Sequence, residues 1–210
     1  MGYAISNTGM RAVDVASDCS STETFYSVLP SPWPPAATLL QLQTAQIASV
    51  QSAEQAAIAA GFKANALGAA TTYPLDSHSE RMLLAAYNAA VRAEGIATAW
   101  SASESVAALS VSLVSGSYLL AITAGVTGSS APVPPSAYKT PITDGTVSWE
   151  LAGYLLNTGA GAQWHSVQEV IAVYQAYLVF LNAQAETLAA LSAEINAATT
   201  TAAVQAVVWP

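Results

Sequence analysis

The side chains of this 210-residue chain that could move a proton or hold a metal are few and scattered. His78 and His165 are its only histidines, each beside a helix-start signal and without a carboxylate or thiol at ligand spacing. A metal site needs three or four converging ligands. Asp76, His78 and one of the serines would form a hydrolase triad only behind a strand and a Gly-x-Ser-x-Gly elbow, which the sequence lacks. Asp14 with Asp18, and Glu186 with Glu194, are the carboxylate pairs open to acid–base work. The second pair falls on the polar side of a predicted helix, where solvation accounts for it. The glycines at Gly159 and Gly161 have no lysine or strand around them, so they do not read as a phosphate loop. Cys19 is the single cysteine and has no thiol to pair with. The expectation is a chain with no catalytic residue, no metal site and no cofactor.

The bulk composition points the same way. Charged residues make up 9% of the chain and the net charge is −8, with Arg11, Lys63, Arg81, Arg92 and Lys139 all before residue 140. The remainder carries only carboxylates, among them Asp144, Glu150 and Glu169. Nucleic acid is therefore excluded as an expected partner, since phosphate neutralisation needs clustered Lys or Arg. A chain that is 53% hydrophobic with so few charges implies that much of its surface is covered in its working state. The uncharged run Ser105 to Tyr138 is diluted by Ser, Thr and Gly and has no basic flank, so no membrane span is expected.

The element around which the rest is expected to pack runs from Ser166 to Ala198, without Gly or Pro. Val167, Ile171, Tyr174, Leu178, Leu181, Ala185, Leu188, Ser192 and Ile195 recur at alternating steps of four and three, a helix seam of the coiled-coil kind. Ser166-Val-Gln-Glu169 reads as its capping box. Val170, Val173, Tyr177 and Phe180 add a second apolar face to the first half only. At about 1.5 Å per residue the helix would span about 50 Å and must pack along its length, within one bundle or against copies of itself.

Upstream, residues 1–29 read as a small β module: Tyr3 to Ser6, a turn at Asn7-Thr8-Gly9, Arg11 to Ala16, an Asp18–Ser21 corner, and Thr24 to Leu29. A Pro-rich linker at 30–35 carries Trp33. A stalk helix at 36–61 follows, with a neutral face of glutamines and Gly61 as its stop. Residues 62–210 form a C-terminal helical domain. In it, Ser77-His-Ser-Glu80 opens a helix that Gly95 closes, and Met82, Leu83, Ala86, Tyr87, Ala90 and Val91 form its apolar face. Ser101-Ala-Ser-Glu104 opens a short helix, and a strand pair follows over Ser110–Leu113 and Tyr118–Thr123. Thr143-Asp-Gly-Thr146 is a hairpin tip, Trp149 to Leu156 a short helix, and Ala202 to Val207 a last helical turn. The expected fold class is mainly α, with the N-terminal β module, the linker, a helical bundle or hairpin, and a short β insertion at about 105–138.

Several stretches, taken in order, resemble a family of small bacteriophage tail proteins with an uncharacterised tail-associated C-terminal domain. They are Tyr3-Ala-Ile-Ser-Asn-Thr-Gly-Met-Arg-Ala-Val-Asp14 with Glu23-Thr-Phe-Tyr26 and a Pro run; Gly61-Phe62, Ala66-Leu-Gly68 and Thr72-Tyr-Pro74; the Asp144-Gly145 turn; His165 near the start of a long helix; and Glu194-Ile-Asn-Ala-Ala-Thr-Thr200 with Val204-Gln-Ala-Val-Val-Trp209. Relative to that family, residues 105–138 look like an insertion. The resemblance implies a structural tail component, of a tail fibre or a baseplate-associated adaptor, or alternatively a tail-fibre assembly chaperone. It implies other tail proteins as partners, a homo-oligomer such as a trimer, and a place in the virion tail. The opening residues lack a basic stretch followed by an apolar core, so synthesis in the host cytoplasm without a signal peptide is expected. The candidate interface residues are Tyr3, Ile5, Phe25, Tyr26, Trp33, Val167, Ile171, Tyr174, Leu178, Leu181, Leu188 and Ile195.

Overall fold

A computed structural model describes residues 2–6, 9–28 and 37–210; the predicted linker with Trp33 falls outside them. Strands β1 (Gly2–Ser6), β2 (Gly9–Val13) and β3 (Thr24–Tyr26) precede helix α1 (Leu39–Ala59). Strands β4 (Phe62–Ala64) and β5 (Thr71–Tyr73) lead into helix α2 (Ser77–Ile96). Then come β6 (Thr98–Ala99), β7 (Ser105–Val106), β8 (Val111–Val114), β9 (Ser117–Ala121), β10 (Gly125–Val126), β11 (Ile142–Asp144), β12 (Val147–Leu151), β13 (Gly153–Thr158) and β14 (Gly161–Ser166). Helices α3 (Val167–Ala197) and α4 (Thr201–Ala206) complete the order. With 41% helix and 27% strand, the fold is mixed α/β, and the expectation of a mainly α chain is overturned. Two compact units are present, Met1–Ala48 with Ala193–Val208 and Ser49–Ser192 with Trp209–Pro210.

In the first unit the predicted β module forms an antiparallel sheet in the order β2-β1-β3. The register sets Tyr3 between Ala12 and Tyr26, and Ile5 between Met10 and Thr24, so these six share one face. The corner between β2 and β3 is held by charge. Arg11 donates through Nε and Nη2 to the two Glu23 carboxylate oxygens, both at 2.9 Å, and through Nη2 to the Asp18 carbonyl. The Ser20 amide donates to the same carboxylate at 2.8 Å. The arginine fork above all, with that amide, pulls the Glu23 carboxyl down to about 2. The same unit holds the start of α1, the end of α3 and α4. Gln43 Nε2 donates to the carbonyls of Ile195 at 3.0 Å and Ala198 at 3.1 Å, and Gln46 Nε2 to that of Val207. These two glutamines, expected on a neutral polar face, donate to carbonyls at the C-terminal ends of α3 and α4, where a helix leaves acceptors to be satisfied.

In the second unit α1 ends as expected at Gly61, whose positive φ of 85° suits a residue without a Cβ. The β4–β5 hairpin then delivers Phe62 and Tyr73 into a core shared with Leu83, Ala86, Ala90 and Ala93 of α2 and with Val167, Val170, Val173 and Tyr177 of α3. A five-stranded sheet in the order β11-β12-β9-β8-β6 is antiparallel except at β6–β8. Because side chains alternate along a strand, Val111, Tyr118 and Leu120 point into that core. Val114, Leu119, Ala121, Val147 and Trp149 point away from it into a second core, closed by Trp100, Val106 and Ile142. The sheet is therefore a middle layer with apolar residues on both faces.

Two predicted helices in this region are strands and turns. The backbone of Glu104 exchanges hydrogen bonds with Thr127, whose amide donates to the Glu104 carbonyl at 2.9 Å and whose Oγ1 accepts from the Glu104 amide at 2.8 Å. The proposed helix start at Ser101–Glu104 is consumed in that loop pairing. Val147-Ser-Trp-Glu-Leu151 alternates buried and half-buried, a period of two that pairs with β9 and excludes the helix expected at Trp149 to Leu156. The expected hairpin tip at Asp144-Gly145 is present. Asp144 is buried, and its carboxylate accepts from Trp100 Nε1 and from the Gly128 amide, both at 2.7 Å.

Gly145 lies at φ 63°, and a Cβ there would strike the Val126 carbonyl oxygen. Gly145→Ala is expected to cost about 2 kcal/mol or more from the left-handed backbone and the clash, read as a lower urea midpoint with an unchanged slope. In the β module, Glu23 titrates at about 2 folded against 4.5 as a free carboxyl. A depressed carboxyl stabilises above its unfolded value and loses that contribution as pH falls through the folded one. Protection of the β3 amides from hydrogen exchange should therefore fall as pH drops from about 4.5 towards 2, and Glu23→Gln should abolish that pH dependence.

Candidate functional site

Two of the groups singled out for chemistry, His165 and Asp76, hold the fold. His165 is fully buried at the end of β14. Its Nδ1 lies 3.0 Å from the Gln163 carbonyl, which can only accept, so Nδ1 carries the proton and Nε2 accepts from the Tyr73 hydroxyl at 2.8 Å. Burial lowers the His165 pKa and pushes the Tyr73 hydroxyl up to about 12, so both groups are neutral around neutral pH. One residue on, Ser166 and Glu169 close the predicted capping box, the Ser166 amide donating to the carboxylate at 2.6 Å and the Glu169 amide to Ser166 Oγ at 3.2 Å.

At α2 the cap falls one residue earlier than expected. Asp76 accepts from the amides of His78 and Ser79 and from Ser79 Oγ, and the His78 side chain is exposed. Asp14, Asp18, Glu186 and Glu194 are also exposed. The Gly159–Gly161 stretch is the β13–β14 turn. A shallow cleft of about 290 Å³ borders Arg11, Val13, Asp14 and Asp18, with the arginine already committed to Glu23. Among the described residues no group of three or more His, Cys, Asp or Glu is placed to hold a metal ion, and no helix is long and apolar enough to cross a membrane.

The structure separates the candidate interface residues. Val167 and Ile195 are fully buried, Ile5 is buried, and Tyr3, Phe25, Tyr26, Leu181 and Leu188 are half-buried. The inward stripe of α3 is Val167, Val170, Val173 and Tyr177, so the second apolar face noted in the sequence supplies most of the buried positions, while Val167 of the seam is buried with them and Ile171, Tyr174 and Leu181 pack against the same core. The regular seam lies on the flank of that stripe, and there Ile171 and Tyr174 are half-buried and Leu178 is 43% exposed.

That flank meets a matching one on α2. The core stripe of α2 is Ser79, Leu83, Ala86, Ala90 and Ala93, which leaves Leu84 45% exposed and Val91 42% exposed. Leu84, Tyr87 and Val91 are spaced as Ile171, Tyr174 and Leu178 are, at i, i+3 and i+7, so each set lies along one helix face. Tyr87 and Tyr174 join the two sets, their rings stacked with centroids 3.8 Å apart and planes 15° apart. Tyr177 donates to Glu80 at 2.5 Å beside them, and the order of the pairs 80–177 and 87–174 makes the helices antiparallel. The result is a strip of six apolar and aromatic side chains on two helices linked by that stack and that hydrogen bond, in which Tyr87, Ile171 and Tyr174 also pack against the core, with no charged residue on α3 between Glu169 and Glu186.

The sequence pattern groups Tyr87 and Val91 on one face with Leu83 and Ala86 and leaves out Leu84, whereas the structure buries Leu83 and Ala86 and leaves Leu84 and Val91 exposed. The signal was there in the spacing of Leu84 from Tyr87 and Val91, three and seven residues on. Comparison of the chain with protein-family models, curated proteins and solved structures finds no match.

Tyr73→Phe leaves the buried Nε2 of His165 without its donor, and a loss of about 1–3 kcal/mol is expected in urea unfolding. The pH signs follow from linkage. His165 is held neutral below its free value of 6.5, so stability falls as pH drops through and below that value. Tyr73 is raised from 10.0 to about 12, so stability falls as pH rises between them. The unfolding midpoint should be flat from about 6.5 to 10 and fall on both sides, and His165→Gln should remove the decline attributable to the imidazole on the acid side.

Proposed function

We propose that the chain is a structural component of a bacteriophage tail, of a fibre or a baseplate-associated adaptor, that works through protein–protein contacts. The observation that carries this reading is the α2–α3 strip, in which Leu84, Val91 and Leu178 stand at 42–45% exposure on the two helices that the Tyr87–Tyr174 stack joins. Contiguous exposed apolar patches mark contact sites, whereas scattered single residues do not. It is supported by the ordered sequence resemblance to small tail proteins and by a chain in which His165, Tyr73, Asp76, Glu23 and Asp144 all serve as struts. The N-terminal sheet gives such a component a second, separate module.

Quantitative mass spectrometry of purified phage particles tests the assignment. The expected result is this chain in fixed ratio to the other tail proteins. Presence in lysates at the time of assembly with absence from mature particles would overturn it in favour of an assembly chaperone, which should then raise the soluble yield of a co-expressed fibre.

A further inference from the structure

We propose that the α2–α3 strip is the contact between two copies of this chain, with α2 of one copy lying along α3 of the other. The proposal rests on the reading of the strip as a contact surface, and it names the occupant.

Charge selects that occupant. At a net charge of −8, two copies repel wherever carboxylates face one another. The α3 side of the strip offers sixteen consecutive residues, Val170 to Ala185, with no charge to desolvate. Depletion of charge with enrichment of aromatics is the composition of an interface centre.

The charges beside the strip then choose the arrangement. Arg81 stands three residues before Leu84, on the outer side of α2. Glu186 stands four after Asn182, itself four after Leu178, on the outer side of α3. A two-fold axis running along the helices lays α2 over the partner's α3 and brings this arginine flank onto the carboxylate flank. An axis across the helices would stack α2 antiparallel on its own copy, with the arginines of one copy, Arg81 and Arg92, facing those of the other. The antiparallel pairing of Glu80 with Tyr177 sets Arg81 near the level of Leu178. Side chains lean towards the N-terminus of their own helix, and Arg81 Nε is bonded to the Ser77 carbonyl at 2.9 Å, so its guanidinium leans towards the level of Glu186.

The dimensions are adequate. A helix of about 20 residues is about 30 Å long and two side by side are about 20 Å wide. That face is on the order of 600 Å², comparable with the roughly 800 Å² per partner of a standard interface.

Sedimentation velocity on the full chain at micromolar concentrations is expected to show a reversible dimer. Leu178→Glu and, separately, Val91→Glu alter exposed positions and should keep the circular dichroism spectrum while raising the dissociation constant about tenfold or more. Arg81→Glu should weaken the dimer, and Arg81→Glu with Glu186→Arg should restore it. A monomer throughout, or an oligomer of any size whose affinity is indifferent to Leu178→Glu and Val91→Glu, would overturn the proposal. So would a double charge reversal no tighter than the single one. None of these results bears on whether the chain is present in tail particles, so the two readings fail separately.

Discussion

The second unit depends on one buried hydrogen bond at the junction of β14 and α3. His165 is the residue before the helix cap, and its ring is fixed on both nitrogens, by Gln163 of its own strand and by Tyr73 of the β4–β5 hairpin. A neutral imidazole with both nitrogens satisfied can be taken from water at modest cost, whereas a charged or half-satisfied one cannot. Tyr73 in turn stacks on Phe62, with ring centroids 5.4 Å apart, and Phe62 reaches Tyr177 at 5.6 Å and Phe180 at 6.2 Å. The hydrogen bond therefore fixes where α3 departs, and the aromatic cluster fixes which of its two apolar faces turns inward.

Small residues make the layering possible. The face that α2 turns to the core is mostly alanine, with Ala86, Ala90 and Ala93 beside one leucine and a serine bonded back to Asp76. Such a helix can approach the β13 strand and the sheet closely while burying little per residue, so the core relies on Phe62, Tyr73, Tyr118 and Tyr177 for volume. The opposite face of the sheet uses Trp149 in the same way. Its indole N–H is buried without a hydrogen-bond partner among the described residues, and the ring is kept for the apolar surface it covers.

Several helix ends and hairpin tips were legible in the sequence, because each is decided by a few neighbouring residues, although α2 starts from Asp76 and runs through Gly95, the residue expected to close it, to Ile96. The Ser166–Glu169 box, the stop at Gly61, the Asp144-Gly145 tip and the strands of the N-terminal module all needed only local chemistry, the expected turn at Asn7-Thr8 lying outside the described residues. The failures came where a local signal was outcompeted by pairing partners distant in the chain. Ser101–Glu104 has the residues of a capping box, but Thr127 satisfies the Glu104 backbone from 23 positions away. Trp149 to Leu156 has the composition of a short helix, but β9 supplies a ladder for its first half and β14 for its second. The long helix was legible in extent and misleading in orientation. A seam of four-three steps identifies the most regular apolar face, and the face that enters a core is set by how well neighbours fill it.

The charge economy of the chain ties these choices to its surface. With 9% of its residues charged, it cannot shield apolar flanks with a fringe of Lys and Glu as most surface helices do. Several of its few charges are spent where geometry must be fixed: Arg11 on Glu23 at the corner of the small sheet, Lys139 on Glu150 and over the Trp164 ring, Glu80 on Tyr177, and Glu169 on the start of α3. Little is left to cover the flank formed by Leu84, Tyr87, Val91, Ile171, Tyr174 and Leu178. A surface of that kind is costly in water and becomes favourable once another apolar surface meets it, at roughly 25 cal/mol per Å² of apolar area removed from solvent. The composition that first suggested assembly and the groove between α2 and α3 thus have one physical origin. A chain that fixes its geometry with so few charges has few left to fringe its remaining apolar surface.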